Sequence, residues 1–147
     1  MLEAAKAFKP HTIVHLGDLA DFYKISSHSK DPAREHSFKQ EVEIARGLRQ
    51  DLDNLGAKRR IFIGGNHEDR LPRYLAEKAP ELHDEITIDK ILKLSENGWE
   101  YVPYRSSIKL GKLYITHDVG TSGKYSTARA LETFQHSVAI GHHHAVP

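Results

Sequence analysis

Four apolar runs in this sequence each end directly before side chains that can bind a metal ion. The runs cover residues 12–16, 60–63, 112–115 and 137–140, and the polar segments after them cover residues 17–21, 65–68, 116–118 and 141–144. Short apolar runs bounded by turn residues predict buried β-strands. Because neighbouring strands of an α/β sheet end at a common crevice, the sequence predicts that these donors meet at one site.

Helical patterns separate the predicted strands. Apolar residues recur at helical spacing between residues 37 and 55, where Ser37 and Gln40 resemble a capping box and Gly56 is a natural stop. Further predicted elements are helices over 2–8, 70–78, 87–96 and 124–134, a strand over 99–102, and a hairpin of residues 107–110 and 112–116. Residues 17–34 form a long loop, which is often a functional feature. This order indicates an α/β fold with one antiparallel addition.

The size and charge of the chain limit its class. A length of 147 residues suits a single domain with a hydrophobic core. Lys and Arg total 21 against 20 Asp and Glu, so the net charge does not indicate strong binding to nucleic acid or to a membrane surface. A protein of near-neutral net charge can still have a local basic groove that binds a nucleic-acid substrate. The sequence has no Cys, which rules out disulfides and thiolate metal sites and fits a reducing compartment. We therefore expect a cytoplasmic protein without a membrane partner.

Two of the predicted donors offer oxygen. Asp18 follows a strand and a glycine, and one carboxylate can bridge two divalent cations. The alternative for Asp18 is an Asx turn or a helix cap. Asn66 offers a carbonyl oxygen, and its neighbour His67 can exchange a proton near neutral pH. The Gly-Gly-Asn-His stretch also fits a tight turn, because Gly and Asn both tolerate positive φ.

The other predicted donors are imidazoles. His142 and His144 lie on the same side of an extended segment, where two rings make a natural chelate. The triplet also resembles part of a purification tag, but only three His occur and ordinary sequence follows them. His117 ends a strand, and its alternative is a hydrogen-bonded structural role. The remaining histidines are interpreted as surface or structural residues: His11, His15, His28, His36, His83 and His136.

Taken in order, the polar segments resemble the motifs of the calcineurin-like metallophosphoesterases. That family carries Asp-x-His, Gly-Asp-x-x-Asp, Gly-Asn-His-Asp/Glu, a lone His and Gly-His-x-His, and the last four match residues 17–21, 65–68, 117 and 141–144. Residues 71–75 and 79–82 also resemble a prophage-type branch. The resemblance implies an αββα sandwich that hydrolyses phosphomonoesters or phosphodiesters, with nucleotides and nucleic acid in its substrate range.

The resemblance also implies a dinuclear metal centre. Its ligands would be Asp18, Asn66, His117, His142 and His144. Asp18 would bridge both ions, and His144 would bind the second one. Mn²⁺, Fe, Zn²⁺ and Ni²⁺ all suit this mixture of oxygen and imidazole donors. Two such ions about 3.5–4 Å apart share a hydroxide that attacks phosphorus. His67 would assist departure of the leaving group, and Asp21 would orient His67 through a hydrogen bond.

The sequence departs from the family pattern in two ways. No Asp-x-His precedes Asp18, and the chain stops three residues after His144, so we expect an internal fragment truncated at the first strand and at the C-terminal strands. For such a fragment we expect about one bound metal and little turnover, since a metal site uses three or four protein donors. Phe22 stands where Ser/Thr protein phosphatases carry Arg, which disfavours that identity. The rival functions are a non-catalytic fragment or scaffold with an incomplete metal site, and a nucleic-acid-binding module.

Overall fold

Helices and strands alternate along the chain in the computed structural model, which describes residues 2–31, 33, 36–120 and 125–142. The helices of these ranges are α1 (Leu2–Phe8), α2 (Phe38–Asp53), α3 (Arg70–Lys78), α4 (Ile88–Leu92) and α5 (Ser126–Phe134). The strands are β1 (Thr12–His15), β2 (Arg59–Ile63), β3 (Trp99–Val102), β4 (Ser107–Leu110), β5 (Leu113–Thr116) and β6 (Val138–Ile140). Short 3₁₀ turns cover Tyr23–Ile25, Pro80–Leu82 and Ser95–Asn97.

Within the described residues the strands form two three-stranded sheets. In the first sheet, β1, β2 and β3 lie side by side and run parallel. In the second sheet, β5 lies between β4, to which it is antiparallel, and β6, to which it is parallel. Parallel neighbours need a crossover, which contains α2 between β1 and β2 and α5 between β5 and β6. The predicted α/β fold with one antiparallel addition is confirmed.

The two sheets pack face to face between layers of helices. Along β2 the side chains alternate, so that Ile61 and Ile63 join Ile115 of β5 in a core between the sheets. Phe62 faces the other way and packs in a core with residues of α2, α3 and α4. Full burial of each such side chain contributes about 1.5–3 kcal/mol. On the outer face of the second sheet, the Tyr114 ring lies 5.0 Å from the Phe134 ring of α5. These layers are the predicted αββα sandwich.

Several predicted elements are confirmed, and one is wrong. The capping box of α2 is present, with Ser37 accepting from Gln40 N and the Gln40 side chain accepting from Ser37 N. The single helix predicted over 87–96 instead ends at Leu92, because Lys93 adopts a left-handed backbone with φ of 53° and a separate 3₁₀ turn follows. The helix predicted from residue 124 begins at Ser126 in the described part of the chain. No helix of the described ranges is long and apolar enough to cross a bilayer.

A carboxylate joins the amino-terminal ends of β2 and β3 to α2. Asp53 Oδ1 accepts from Arg60 Nη1 at 3.0 Å and from Trp99 Nε1 at 2.6 Å. Its Oδ2 makes a short ion pair with Arg49, whose side chain is only 8% exposed. Among the described residues, the buried Nε atoms of Arg49 and Arg60 have no hydrogen-bond partner, so this cluster holds its charges with incomplete pairing.

Candidate metal centre

Four predicted ligands converge where strands of the two sheets end. Asp18 follows β1 and Asn66 follows β2, whereas His117 follows β5 and His142 follows β6. Asn66 Oδ1 lies 2.9 Å from His117 Nε2 and 3.0 Å from His142 Nδ1. Asp18 Oδ2 lies 3.4 Å from His117 Nε2. Donor atoms of Asp18, His117 and His142 all lie within 4.8 Å of one another. The structure thus brings these residues together, and their binding of metal stays a prediction.

The arrangement of lone pairs at this point suits a cation. His117 Nδ1 lies 2.5 Å from the Leu16 carbonyl oxygen, which only accepts, so Nδ1 carries a proton. In the neutral ring Nε2 then presents its lone pair toward Asn66 Oδ1 and Asp18 Oδ2. Ligands about 2.0–2.2 Å from one ion lie about 3–3.5 Å apart at octahedral or tetrahedral angles, which the donor spacing here matches. The residues present therefore fit a divalent metal.

Unusual backbone conformations bring the first two ligands together. Asp18 has a left-handed φ of 56°, and Gly17 before it has a φ of 88°. A Cβ on Gly65 would collide with Asp18 Oδ1, so a glycine is required there. Asp18 Oδ1 accepts from His67 N at 3.1 Å, while Oδ2 faces His117. The turn alternatives for Asp18 and Asn66 thus describe the same backbone that presents both residues to the site.

Glu68 fixes this backbone from within. Its carboxylate is buried and accepts from three N–H groups, those of Asp18 at 2.8 Å, Ala20 at 3.0 Å and Gly65 at 2.8 Å. Burial raises the pKa of Glu68, while the three N–H donors act in the opposite direction. No role of Glu68 was predicted from the sequence apart from its place in the motif of residues 65–68. Asp18 and Ala20 lie about fifty residues from Glu68, so the motif spacing carried no signal for these two partners.

The second sheet contributes its ligands through a similar close approach. Gly141 N and His142 N both donate to the His117 carbonyl oxygen, at 3.0 Å and 2.9 Å. A Cβ on Gly141 would collide with the backbone of Leu16, at the end of β1. The glycine before His142 therefore lets the two sheets meet where their ligands lie.

His67 stands beside the ligands in a pair with Asp21. His67 Nδ1 lies 3.0 Å from Asp21 Oδ1, and the same oxygen accepts from Arg70 Nη1 at 2.6 Å. Arg70 Nη1 also donates to the Asp21 carbonyl oxygen at 2.6 Å. Partial burial lowers the pKa of His67, and the Asp18 carboxylate acts in the opposite direction. The structure brings His67 and Asp21 into the predicted contact and adds Arg70, which no sequence motif indicated.

Two histidines need separate mention. His144, the predicted ligand of the second metal, lies outside the described residues. His15 lies directly behind the site, where its ring stacks on Phe62 with centroids 5.0 Å apart and its Nδ1 accepts from Gly17 N at 3.2 Å. Burial lowers the pKa of His15 to about 4. Strand alternation was the signal available for it, since Val14 and Leu16 face the inter-sheet core and His15 faces the opposite side.

Comparison with protein families agrees with this geometry. The chain belongs to the calcineurin-like phosphoesterase family, whose model matches residues 1–146. Members of this family are hydrolases that generally bind two divalent metal ions, and the group of Asp18, His117 and His142 is able to hold an ion here. No curated protein sequence and no solved structure matches the chain.

Proposed function

We propose that this protein hydrolyses a phosphomonoester or phosphodiester with two divalent metal ions. The observation that carries the proposal is the convergence of carboxylate, amide and two imidazole donors, with three contacts of 2.9–3.4 Å and the donor atoms of Asp18, His117 and His142 within 4.8 Å of one another. Asp18, Asn66, His117 and His142 would hold one ion. Asp18 and His144 would hold the other, with Asp18 shared. Manganese, iron, zinc and nickel all suit this donor set.

The metals and the protein would divide the chemistry. When bound, the ions supply charge neutralisation for the phosphate and lower the pKa of the attacking water. His67 would hold or donate a proton at the leaving oxygen, and its Nδ1 contact with Asp21 would direct Nε2 toward that oxygen. Arg70 fixes Asp21 from the opposite side, so the orientation of His67 depends on both residues.

The test combines metal content with turnover. The purified chain, loaded in turn with Mn²⁺, Fe²⁺, Zn²⁺ and Ni²⁺, is analysed for bound metal and assayed with 4-nitrophenyl phosphate and bis(4-nitrophenyl) phosphate. His142→Ala removes a half-buried ligand, whereas His136→Ala removes an exposed ring that stacks on Tyr114 outside the site. We expect His142→Ala to lose metal and turnover together and His136→Ala to keep both.

Two outcomes would overturn the proposal. Equal turnover in His142→Ala and wild type would place the chemistry elsewhere. Bound metal with no measurable turnover of either ester would instead support the rival function, a non-catalytic fragment or scaffold that retains the fold with an incomplete metal site.

A further inference from the structure

A cavity next to the His67–Asp21 pair is lined mainly by positive charge. It has a volume of about 540 Å³ and lies between α3 and the loop that begins with the 3₁₀ turn. Its charged lining consists of Lys24, Lys30, Arg70, Arg73, Lys78 and Glu77. These residues carry four positive charges in excess, although the whole chain has a net charge of only +1. Three of these cations form ion pairs with carboxylates, which are the pairs Arg70–Asp21, Arg73–Asp69 and Lys78–Glu77. The five cations still outnumber these three carboxylates at this concave surface.

Helical spacing places one wall of this cavity. Arg70, Arg73, Tyr74, Glu77 and Lys78 lie three or four residues apart on α3, so they share one face of that helix. An exposed helix face usually mixes both signs of charge, as in the Lys39–Glu43 pair of α2. The cavity face of α3 has one lining carboxylate, Glu77, and Asp69 directly before the helix pairs with Arg73.

The opposite wall holds a lysine in a defined position. Lys30 Nζ donates to Ser26 O, Ser26 Oγ and Tyr23 O at 2.5–2.8 Å. These three acceptors are uncharged, so they orient the ammonium group without cancelling its charge. The three contacts engage all three N–H donors of the ammonium group, so Lys30 attracts an anion by its charge at a fixed position and not by a free hydrogen bond.

Arg70 connects the cavity with the candidate active site. It lines the cavity, and its Nη1 binds the Asp21 oxygen that contacts His67. Arg70 thus joins the cavity to the His67–Asp21 pair that stands beside the predicted ligands. Clusters of Arg and Lys bind phosphate oxygens through charge-assisted hydrogen bonds.

The geometry points to a subsite for a second phosphate group of the substrate, next to the His67–Asp21–Arg70 cluster. The role given to this subsite rests on the proposed function, whereas binding of phosphate to the cavity does not. Tyr74, which is 40% exposed, offers a ring on which a base can stack if the phosphate belongs to a nucleic-acid strand.

Binding measurements on the metal-free full chain test this inference separately from catalysis. The probes are inorganic tripolyphosphate and single-stranded tetrathymidylate, titrated by calorimetry at several salt concentrations. The cavity variant is Arg73→Gln with Lys78→Gln, which changes side chains that are 63% and 57% exposed. The matched control is Lys39→Gln with Lys93→Gln, which removes the same charge from exposed pairs elsewhere. Thermal unfolding confirms that both variants are folded.

We expect the cavity variant to bind tripolyphosphate at least about 10-fold more weakly than wild type, and the control to bind as wild type does. For tetrathymidylate, the slope of log K against log salt should fall by about 1.4, since each lost phosphate contact removes about 0.7 for single strands. Tighter binding of tetrathymidylate that Tyr74→Ala removes would assign the phosphate to a nucleic-acid strand. Equal binding of both probes, unchanged in Tyr74→Ala, would assign it to a polyphosphate.

Two results would overturn the subsite. One is a wild-type chain that binds neither probe, and the other is equal weakening by the cavity and control variants. In both cases the turnover of 4-nitrophenyl esters would still decide the proposed function by itself.

Discussion

Two carboxylates, Glu68 and Asp53, hold opposite ends of the first sheet in different ways. Glu68 lies where β1 and β2 end, and it binds only backbone N–H groups. Asp53 lies where β2 and β3 begin, and it binds the side chains of Arg49, Arg60 and Trp99. The Glu68 contacts fix the backbone that presents Asp18 and Asn66, whereas the Asp53 contacts join elements of the core. A carboxylate that binds backbone therefore positions the site, and one that binds side chains stabilises the fold.

Removal of Glu68 should lower both stability and activity, and we expect the largest changes for this variant. In Glu68→Ala three buried N–H groups lose their acceptor, at about 1–3 kcal/mol each, so we expect a loss of at least about 3 kcal/mol in the free energy of unfolding. Activity should fall more than about 100-fold, because ligand positions shift with the released backbone. Urea unfolding measures the free energy of unfolding, and the 4-nitrophenyl assays measure activity. The assays are run at low temperature, with circular dichroism to check that the variant is folded. Wild-type activity in a folded Glu68→Ala protein would contradict the positioning role.

Removal of Asp53 should cost similar stability without the loss of activity. Asp53→Ala leaves the buried Arg49 guanidinium without its ion-pair partner, for which we expect about 3 kcal/mol. The folded fraction should keep wild-type kcat, since no contact of Asp53 reaches the ligands. The exposed Asp51→Ala on α2 serves as the control with little change in either quantity. If Asp53→Ala lowered kcat as much as Glu68→Ala, the distinction between the two ends would fail.

Replacement of Asp21 should separate orientation from metal binding. In Asp21→Asn the oxygen that Arg70 and His67 share loses its negative charge and holds the imidazole less firmly, so we expect kcat to fall by about 10- to 100-fold. Metal content should stay at the wild-type value, because Asp18 still faces His117. Elemental analysis beside steady-state kinetics measures this, with Asp84→Asn at an exposed position as the control. Loss of metal in Asp21→Asn would show that the roles of the two aspartates are exchanged.

The free energy of unfolding should depend on pH through the protonation of His15. Because the folded pKa is about 4 and the ordinary value is 6.5, the unfolded chain binds the extra proton between these values. The contribution of His15 to the free energy of unfolding is therefore fully present above about pH 6.5 and is lost as the pH falls toward 4. We expect this loss to be about 2 kcal/mol, since the ring is partly exposed. In His15→Asn this component of the urea-unfolding profile should disappear. His83→Asn should keep it, since His15 is still present, and an unchanged profile in His15→Asn would refute the assignment.

Much of the fold could be predicted from the sequence because local chemistry determines it. The periodicity of α2, its Ser37 and Gln40 cap, and the bounds of α3 all follow from residues that lie close together in the chain. The prediction failed for residues 87–96, where a left-handed Lys93 ends the helix. Nothing in the local pattern distinguishes that lysine from one that continues a helix, so packing around Leu92 and Leu94 decides it.

In the candidate site, too, some features follow from the local sequence and others depend on tertiary packing. The sequence alone placed donors such as Asp18 and His117 after strands, and strand ends in an α/β sheet meet at one crevice. Only the tertiary structure decided that Glu68 holds Asp18, that Arg70 holds Asp21, and that cations of α3 face Lys30 across a cavity. Each of these contacts joins residues about forty or more positions apart or depends on how a loop folds back. Strand and helix periods describe neighbours along the chain, and contacts between distant segments exist only once the sheets have packed.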